Sequence, residues 1–246
     1  MSRFYVPKEC ISGDRITVTG KEAHHISDVM RLKVSDPVTV FDGTGKEYTG
    51  IIKEISRKSI SLEISATRTA VKSACDVTLI QAIPKKDKMD FIVQKATELG
   101  VCRIIPVVTQ RTIPDWGKAK KDGVVERWKK IAQEAAKQCG RAYLPEIDAI
   151  TSLKEIASPQ KGLAMTDLKL IATLNDKTTS LKNVLKNVKP SKIAVAIGPE
   201  GDFTKEEVGL FEDNGFKAVG LGPMVLKSDT AGLAALAIIN YEYQNW

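Results

Sequence analysis

Two apolar segments near the C-terminus each end in a glycine-proline turn, and they constrain the fold more than any other feature. The first covers Ile193–Thr204 and contains Gly-Pro-Glu-Gly, while the second covers Val219–Ala231 and contains Gly-Leu-Gly-Pro. Each pattern is typical of a strand that enters a tight loop and then a helix. Glycine permits φ > 0 and lets backbone amides approach a ligand closely. Because open α/β sheets bind ligands at the carboxyl ends of their strands, the pair predicts a small-molecule pocket.

Two common nucleotide-binding motifs are absent from the sequence. No Gly-x-Gly-x-x-Gly opens a first βαβ unit, and no Gly-x-x-x-x-Gly-Lys-Ser/Thr occurs. The first absence disfavours a dinucleotide-binding fold, and the second excludes a P-loop NTPase. A pocket built mainly from backbone groups and a few aliphatic side chains suits an adenosine-like ligand that is held without phosphates.

Length, hydropathy and cysteine spacing narrow the class of protein. The chain has 246 residues, which suits one large or two modest domains. It has no apolar stretch of about 18 residues and no apolar core of a signal peptide, so no membrane span is expected. The four cysteines lie far apart without a Cys-x-x-Cys pair. This usage favours a reducing cytoplasm over a zinc site or a disulfide framework.

Positive charge is concentrated in the first 145 residues. Residues 1–75, 76–145 and 146–246 carry net charges of +3, +6 and −2, within a total of +7. Such a surplus favours a polyanion, and nucleic acid above all, as the partner of this region. A basic face that serves only solubility is the alternative.

Residues 1–70 predict a domain of short β-strands. Gly13, the Asp42–Gly45 segment and Arg57-Lys58 separate the strands, and Asp-Gly between strands is typical of a hairpin. One short helix is expected at Lys21–Met30. Many short strands with one helix indicate a small barrel. The expected strands are Asp14–Thr19, Val38–Phe41, Glu47–Ile55 and Ser59–Ser65.

The pattern changes near Ala70–Ala74, and residues 75–246 predict an α/β domain. Strands and helices alternate along this region, which favours a parallel sheet with helical crossovers. A helix is expected to begin after Thr204, because Glu207 stands three residues later and completes a capping box. The other expected helices are Asp87–Leu99, Val124–Cys139 and Asp229–Tyr243. The expected strands are Val77–Ile83, Arg103–Thr109, Leu163–Thr166, Leu170–Leu174, Lys192–Ile197 and Lys217–Leu221.

Five segments, which follow one another in the order typical of the family, give the chain a specific resemblance to a known family. The two glycine loops together resemble the SPOUT-class methyltransferases, and three further segments are similar to the bacterial 16S rRNA uridine-N3 methyltransferases within that class. The resemblance runs nearly from end to end. The segments are Ile197–Thr204; Leu221–Ala231; His24-His25 with Val29–Leu32; Gln81–Asp90 with Gln94–Val101; and Glu126–Gln138 with Arg141 and Leu144-Pro145.

The resemblance implies both a fold and an activity. It implies an N-terminal small β-barrel of PUA or OB type that binds RNA, and a C-terminal SPOUT α/β domain with a parallel sheet and a deep trefoil knot. The implied activity is transfer of a methyl group from S-adenosyl-L-methionine (SAM) to N3 of a specific uridine in the 16S rRNA of the small ribosomal subunit. A cytoplasmic homodimer is implied as well. No metal is expected, because the only histidines, His24 and His25, have no second cluster of ligands nearby.

The last glycine loop supplies the candidate catalytic residues. Uracil N3–H is a poor nucleophile at neutral pH, so a cation and fixed donors must stabilise the uracil imidate as the methyl group transfers. Lys227 occupies the position of a family arginine and is the candidate cation, and Asp229 and Thr230 are candidate hydrogen-bonding groups. Asp229 is a base or an orienting group by this interpretation, and a helix N-cap is its structural alternative. By resemblance, the cofactor would be bound by Ile197, Gly198, Pro199, Glu200, Gly201, Leu221, Gly222 and Leu226.

The last loop also departs from the family. The family pattern is Arg-x-Leu-Arg-Thr-Glu-Thr-Ala, whereas this chain has Met224-Val-Leu-Lys-Ser-Asp-Thr-Ala231. Lysine keeps the charge of arginine but loses its planar fork of donors. Asp202 replaces a frequent glycine in the first loop. These departures leave the cofactor pocket in place and bear on the catalytic contacts.

A basic path for RNA is expected to precede and flank the pocket. Cations beside apolar and aromatic residues suit contacts to phosphates and to unpaired bases. For any one of these residues, a solvated surface charge is the alternative. The candidates are Arg3, His25, Arg31, Lys33, Lys85, Lys86, Lys88, Arg111 and Arg141.

Two other functions remain open from the sequence. The SAM pocket could serve methylation of another RNA, such as a tRNA. The chain could also be an RNA-binding or ribosome-assembly protein with a weakened or inactive SAM site, which the changes at Met224, Lys227 and Asp229 motivate.

Overall fold

The computed structural model describes residues 3–85, 88–112, 118–157, 163, 165–175, 178–186 and 188–243. The chain divides into two compact units. The first consists of Met1–Lys72 and Gln133–Leu144, and the second consists of Ser73–Ala132 and Pro145–Trp246. Over the described ranges, no helix is long and apolar enough to span a membrane.

The first unit is built on a mixed sheet. Its strands are β1 (Arg3–Tyr5), β2 (Ile11–Ser12), β3 (Arg15–Thr19), β4 (Pro37–Phe41), β5 (Lys46–Ile55) and β6 (Ser59–Thr69). Among the described residues they form one sheet in the order β1-β4-β5-β6-β3-β2, where β1 and β4 are parallel and the other pairs antiparallel. Inward-facing residues alternate along β3, so that Ile16 and Val18 are buried in the core with Phe4 and Leu62.

The helix expected at Lys21–Met30 is divided into two kinds of turn. α1 covers Gly20–His24, and a π-helical turn follows at His25–Val29. The wider turn is closed by a hydrogen bond from the Met30 N–H to the His25 carbonyl at 2.9 Å. Arg31 then adopts a φ of 54°, which ends the helix. The spacing of apolar residues in the sequence predicts a helix here, but it does not distinguish an α-helical turn from a π-helical turn.

The second unit contains a parallel sheet. Its strands are β7 (Asp76–Ala82), β8 (Arg103–Val108), β9 (Glu146–Ile147), β10 (Thr151–Ser152), β11 (Leu168–Ala172), β12 (Thr179–Ser180), β13 (Lys192–Ile197) and β14 (Lys217–Gly220). The order within the described residues is β10-β8-β7-β13-β11-β14-β12, and β9 also pairs with β8. Every one of these pairs is parallel. The mixed-sheet N-terminal part and the parallel α/β C-terminal part agree with the expected fold class at this level.

Apolar side chains cover both faces of the parallel sheet. Along β7, Val77 and Leu79 pack into one hydrophobic cluster, while Ile80 and Ala82 pack into another on the opposite face. This arrangement explains the nearly continuous apolar strands of the sequence. The helices that follow the strands are α2 (Lys88–Glu98), α3 (Lys118–Cys139), α4 (Leu153–Ala157), α5 (Leu181–Leu185), α6 (Lys205–Asp213) and α7 (Ser228–Glu242).

Most of the expected elements are confirmed, but the strand at Leu163–Thr166 is wrong. The Thr166 N–H donates to the Leu163 carbonyl at 3.1 Å in a turn, and the strand itself begins at Leu168. Asp167 fixes this starting point, because its Oδ2 accepts hydrogen bonds from the Ser191 N–H at 2.7 Å and the Lys192 N–H at 3.0 Å.

The capping box of α6 is confirmed. The Thr204 hydroxyl accepts a hydrogen bond from the Glu207 N–H at 3.2 Å, and the Glu207 carboxylate accepts one from the Thr204 N–H at 2.9 Å. For α7 the N-cap is Lys227, so the alternative that Asp229 caps this helix is wrong. Asp229 lies in the first turn instead.

Candidate active site

Three loops meet at the carboxyl ends of neighbouring strands and enclose a cavity of about 430 Å³. β11 lies between β13 and β14 in the sheet, so the loops that leave these strands emerge side by side. We call them the β11 loop (173–175 and 178, the described residues of this segment), the β13 loop (198–204) and the β14 loop (221–227). The residues that line the cavity are Ala172–Asn175, Thr178, Ile197–Glu200, Asp202, Gly220–Ser228 and Ala231. The cavity therefore lies where parallel α/β sheets bind ligands.

The two glycines singled out in these loops serve different geometric needs. A Cβ on Gly198 would lie 3.1 Å from the Asp202 Oδ1 and 3.2 Å from the Phe203 backbone nitrogen, so crowding explains this glycine. Gly222 has a φ of 140° and no atom within 4 Å of an added Cβ, so backbone conformation explains it. Of the two glycines, only Gly222 therefore uses the φ > 0 that glycine permits.

Asp202 links the β13 loop to the β11 loop. Its Oδ1 accepts a hydrogen bond from the Phe203 N–H at 2.8 Å. Its Oδ2 accepts bonds from the Thr173 hydroxyl and the Leu174 N–H, both at 3.0 Å. The carboxylate therefore joins two walls of the cavity.

A buried polar chain links the start of α7 to the β13 loop. Gln81 is fully buried, and its Nε2 donates to the Ser228 hydroxyl at 3.1 Å and to the Ala82 carbonyl at 3.0 Å. The Ser228 hydroxyl in turn donates to the Gly198 carbonyl at 2.5 Å. These bonds fix where the β14 loop ends relative to the β13 loop.

Two carboxylates flank one ammonium group beside the cavity. The Lys88 Nζ lies 3.2 Å from the Glu200 Oε1 and 3.8 Å from the Asp229 Oδ1. At 3.8 Å, Lys88 and Asp229 form an ion pair but no hydrogen bond. The Asp229 Oδ1 is buried and has no hydrogen-bond partner in the described structure. Asp229 therefore retains an acceptor that the folded chain leaves unused.

Glu200 supports the loop. Burial raises the pKa of its carboxyl, but hydrogen bonds from its own backbone, from Lys88 and from the Lys85 N–H outweigh burial and hold the pKa below its ordinary value. The Lys85 N–H lies 3.2 Å from the Glu200 Oε1. A carboxylate held in its charged form by these donors is a poor proton acceptor at neutral pH.

The structure brings together most of the residues expected at the pocket. Ile197, Gly198, Pro199, Glu200, Leu221, Gly222, Leu226 and Lys227 all line the cavity. Gly201, Asp229 and Thr230 lie outside the lining set, as far as the described residues define it. The Lys227 and Thr230 side chains are exposed, and Asp229 retains 22% of its side-chain exposure.

Arg3 differs most from its expected role as an exposed RNA contact. Its side chain is 12% exposed, forms an ion pair with Glu47 and lies 5.0 Å over the Phe41 ring. Arg3 therefore packs inside the first unit, and its contact with RNA stays a prediction. His25 is half-buried, with its ring 5.4 Å from that of Phe4 in an edge-on contact.

The other expected RNA contacts differ in exposure. Arg31 and Lys33 in the first unit and Lys85 and Arg111 in the second are exposed. Arg111 also donates to the Gly201 carbonyl.

Two further candidates are less available, and one is not described. Lys88 is held by the two carboxylates, so its expected role in the RNA path is replaced by one beside the cavity. Arg141 is half-buried. Lys86 lies outside the described residues.

Sequence reasoning missed the β11 loop as part of the site. Thr173, Leu174, Asn175 and Thr178 all line the cavity, and no glycine-proline turn marks this segment. Its one signal was the expected strand Leu170–Leu174, whose last two residues lie in this loop, because the strand itself ends at Ala172. In the ranges that the structure describes, no group of three or more His, Cys, Asp or Glu side chains is placed to hold a metal ion.

Comparisons with known proteins cover both units. A model of the RNA methyltransferase domain matches residues 71–240, and a model of the RNA methyltransferase PUA domain matches residues 18–65. Ribosomal RNA small subunit methyltransferase E of Bacillus subtilis is 30% identical over an alignment of 250 positions, which covers 98% of this chain and 97% of that protein.

Two solved structures are similar over nearly the whole chain. One is a ribosomal RNA small subunit methyltransferase E from Neisseria gonorrhoeae bound to S-adenosyl methionine, with a TM-score of 0.87, 31% identity and coverage of 99% of this chain and 98% of that chain. The other is a methyltransferase from Legionella pneumophila in complex with SAM, with a TM-score of 0.86, 31% identity and coverage of 97% and 96%.

Proposed function

Because the chain belongs to the RNA methyltransferase family that includes ribosomal RNA small subunit methyltransferase E, we propose that it methylates N3 of a uridine in 16S rRNA, using SAM. The observation that carries this proposal is the cavity at the carboxyl ends of β11, β13 and β14, which the family resemblance assigns to SAM. Relatives that match nearly the whole chain are named as methyltransferases of small-subunit ribosomal RNA, and two similar structures hold SAM.

The cavity fits this cofactor in size and chemistry. Its volume of about 430 Å³ lies within the range of small-molecule sites, roughly 300–1,000 Å³. The glycine-rich β13 and β14 loops expose backbone donors and acceptors, and aliphatic groups of Ile197, Leu221 and Leu226 provide apolar contacts. When bound, SAM supplies the electrophilic methyl group.

The residues of this chain then act on the uracil. Lys227 lies exposed at the cavity, where its ammonium group stabilises the negative charge that develops on the uracil oxygens. The Asp229 carboxylate, which retains 22% of its side-chain exposure beside the cavity, is the acceptor for the N3 proton. Lys88, whose Nζ lies 3.8 Å from the Asp229 Oδ1, orients the Asp229 carboxylate, and Glu200 braces Lys88 and the β13 loop. Loss of the proton would free the N3 lone pair to bond the methyl carbon, while the carbon–sulfur bond of SAM breaks and its electron pair leaves with the sulfur of S-adenosyl-L-homocysteine.

The first unit is the proposed RNA-binding part, as a small barrel of PUA type. The match of residues 18–65 to a PUA model supports this assignment. The exposed cations Arg31 and Lys33 of this unit, and Lys85 and Arg111 near the cavity, are the proposed phosphate contacts. A ribosomal substrate implies a cytoplasmic protein, and the family resemblance implies a homodimer.

The trefoil knot is also part of the proposal. β14 pairs with β11 on the side away from β13, yet α7, which follows β14, packs against β7 and β13. The β14 loop must therefore cross the carboxyl end of β11 on its way to α7. A threaded chain requires a crossing at this edge of the sheet, and the crossing supports the knot that the resemblance implies.

The proposal is tested by methyl transfer to RNA. Purified protein is incubated with radiolabelled SAM and with small ribosomal subunits from a strain that lacks the modification, and the labelled nucleotide is mapped. We expect a 3-methyluridine in 16S rRNA. SAM binding without transfer to these subunits would favour another RNA or an inactive site, and label on another nucleotide or atom would contradict the proposed target.

Lys227 gives the matched test of the mechanism. Lys227→Ala is expected to lower kcat by roughly 10²-fold, since removal of one preorganised group that stabilises charge in the transition state costs this much. Lys227→Arg is expected to retain activity. Lys217→Ala serves as the control, because Lys217 is an exposed lysine at the amino end of β14. Full activity of Lys227→Ala would refute the role of this cation.

A further inference from the structure

Asp202 occupies a backbone position that suits glycine better than aspartate. Its φ is 59°, in the left-handed region that few residues other than glycine, asparagine and aspartate adopt readily. The turn is closed by a hydrogen bond from the Asp202 N–H to the Pro199 carbonyl at 3.0 Å. The backbone alone therefore gives no reason for a side chain here, and the reason lies in what the carboxylate contacts.

The Asp202 carboxylate accepts three hydrogen bonds from two separate loops. One comes from the Phe203 N–H within the β13 loop, and two come from the Thr173 hydroxyl and the Leu174 N–H of the β11 loop. All three distances lie between 2.8 and 3.0 Å. Hydrogen bonds to an ionised acceptor are roughly twice as strong as those between neutral groups. The carboxylate thus links the β11 loop to the β13 loop by hydrogen bonds at the wall of the cavity.

This hydrogen-bonded link fixes the position of the β11 loop at the cavity. Leu174 is 62% exposed and lines the cavity, and the Asp202 Oδ2 accepts a hydrogen bond from its backbone N–H. Without that bond, an exposed loop residue has few contacts to hold it in one conformation. A ligand would then have to order the loop when it binds, and this cost would be subtracted from the affinity.

We infer that Asp202 is a positioning residue that holds the β11 loop in its ligand-binding conformation before SAM arrives. The inference rests on the proposed function for the identity of the ligand. Asp202 acts through the loop, so its loss lowers the affinity for SAM and leaves the methyl-transfer step at saturating SAM unchanged.

The test uses variants that fold with the same backbone. Asp202→Gly suits a φ of 59° and removes the whole carboxylate, while Asp202→Asn keeps the backbone preference and one acceptor oxygen. We expect Asp202→Gly to weaken SAM binding about tenfold, which corresponds to about 1.4 kcal/mol, and Asp202→Asn to weaken it less. Calorimetry gives Kd, and kinetics are expected to show a raised KM for SAM with kcat within about twofold of the unaltered chain.

A second substitution and a second measurement separate positioning from general damage. Thr173→Val removes one of the two bonds from the β11 loop, and its effect is expected to disappear in an Asp202→Gly background. Hydrogen exchange of the Leu174 amide in the ligand-free protein should quicken in Asp202→Gly, while amides of β13 keep their rates. Asp213→Asn, at an exposed carboxylate at the end of α6, is the control and should bind SAM normally.

The outcomes distinguish this inference from the proposed function. An unchanged Kd for Asp202→Gly, in a protein whose unaltered form binds SAM, overturns the positioning role and leaves the proposed function standing. A lowered kcat with an unchanged Kd, or faster exchange throughout the sheet, also overturns it. Failure of the unaltered chain to bind SAM overturns both.

Discussion

Replacement of Gly232 by alanine is expected to destabilise the protein, although alanine is the better helix former. Gly232 is a buried residue of α7, and an added Cβ would lie 2.9 Å from the Gln81 Oε1 and 3.6 Å from the Leu79 Cδ1. A carbon–oxygen contact below 3.0 Å forces one group to move. Gln81 cannot move freely, because it is fully buried and its Nε2 bonds to Ser228 and to the Ala82 carbonyl.

The two opposing effects differ in size. Exchange of glycine for alanine inside a helix gains about 1 kcal/mol. Displacement of the Gln81 amide leaves buried polar groups without partners, at a cost of about 1–3 kcal/mol for each group. Two donor–acceptor contacts are at risk, so the loss exceeds the gain. We expect Gly232→Ala to lower the free energy of unfolding by about 1–2 kcal/mol.

A second glycine provides the matched control for this prediction. Gly209 lies within α6, and an added Cβ there meets no atom within 4 Å. Gly209→Ala is therefore expected to raise the free energy of unfolding by about 0.5–1 kcal/mol. Urea denaturation followed by circular dichroism measures both variants. The reasoning is refuted if the two substitutions shift the midpoint in the same direction, or if Gly232→Ala remains as costly in a Gln81→Ala background.

Two further predictions concern single groups. Thr204→Ala removes the side-chain cap of α6 and should lower the free energy of unfolding by about 0.5–2 kcal/mol in urea denaturation. Thr204→Ser keeps the hydroxyl that accepts a hydrogen bond from the Glu207 N–H and should retain most of the stability. An equal loss in both variants would contradict the cap as the cause. Burial, and then the charge of Asp76, raise the pKa of the Cys75 thiol to about 12, so iodoacetamide at pH 8 should alkylate exposed Cys139 and reach Cys75 only after unfolding. Peptide mass spectrometry gives the order of labelling, and labelling of Cys75 at the rate of Cys139 in the folded protein would exclude this explanation.

The parallel sheet was predictable because its strands carry strong local signals. β13 is a continuous apolar run, and the Thr204–Glu207 pair marks the start of α6 in the sequence. Strands of two residues, such as β9, β10 and β12, carry too few residues to show a period of two. Their position depends on pairing with distant strands, which a local pattern does not contain.

The candidate site was predictable from the sequence only where the backbone geometry requires a particular residue type, such as glycine. Gly198 and Gly222 identified the β13 and β14 loops, although for different physical reasons. The role of Lys88 was not accessible, because it depends on contacts with Glu200 and Asp229, which lie more than 100 residues away in the chain. The charge pattern of the sequence identifies Lys88 as one of many cations, but it does not identify the carboxylates that Lys88 contacts.

The first compact unit is assembled from two pieces of chain, and this bears on how the protein could be divided. Lys137, from the second piece, donates to the Glu22 Oε1 at 2.8 Å with only 11% of its side chain exposed. The Gly45 N–H bonds to the Ala142 carbonyl at 3.1 Å, and the Tyr143 ring fills the space where a side chain at position 45 would stand. A gene fragment that stops at Lys72 would encode a unit without this second piece, with Glu22 deprived of its cation. To express this unit on its own or fused to another protein, a gene must therefore encode residues 133–144 as well, joined to residues 1–72 by a new connection.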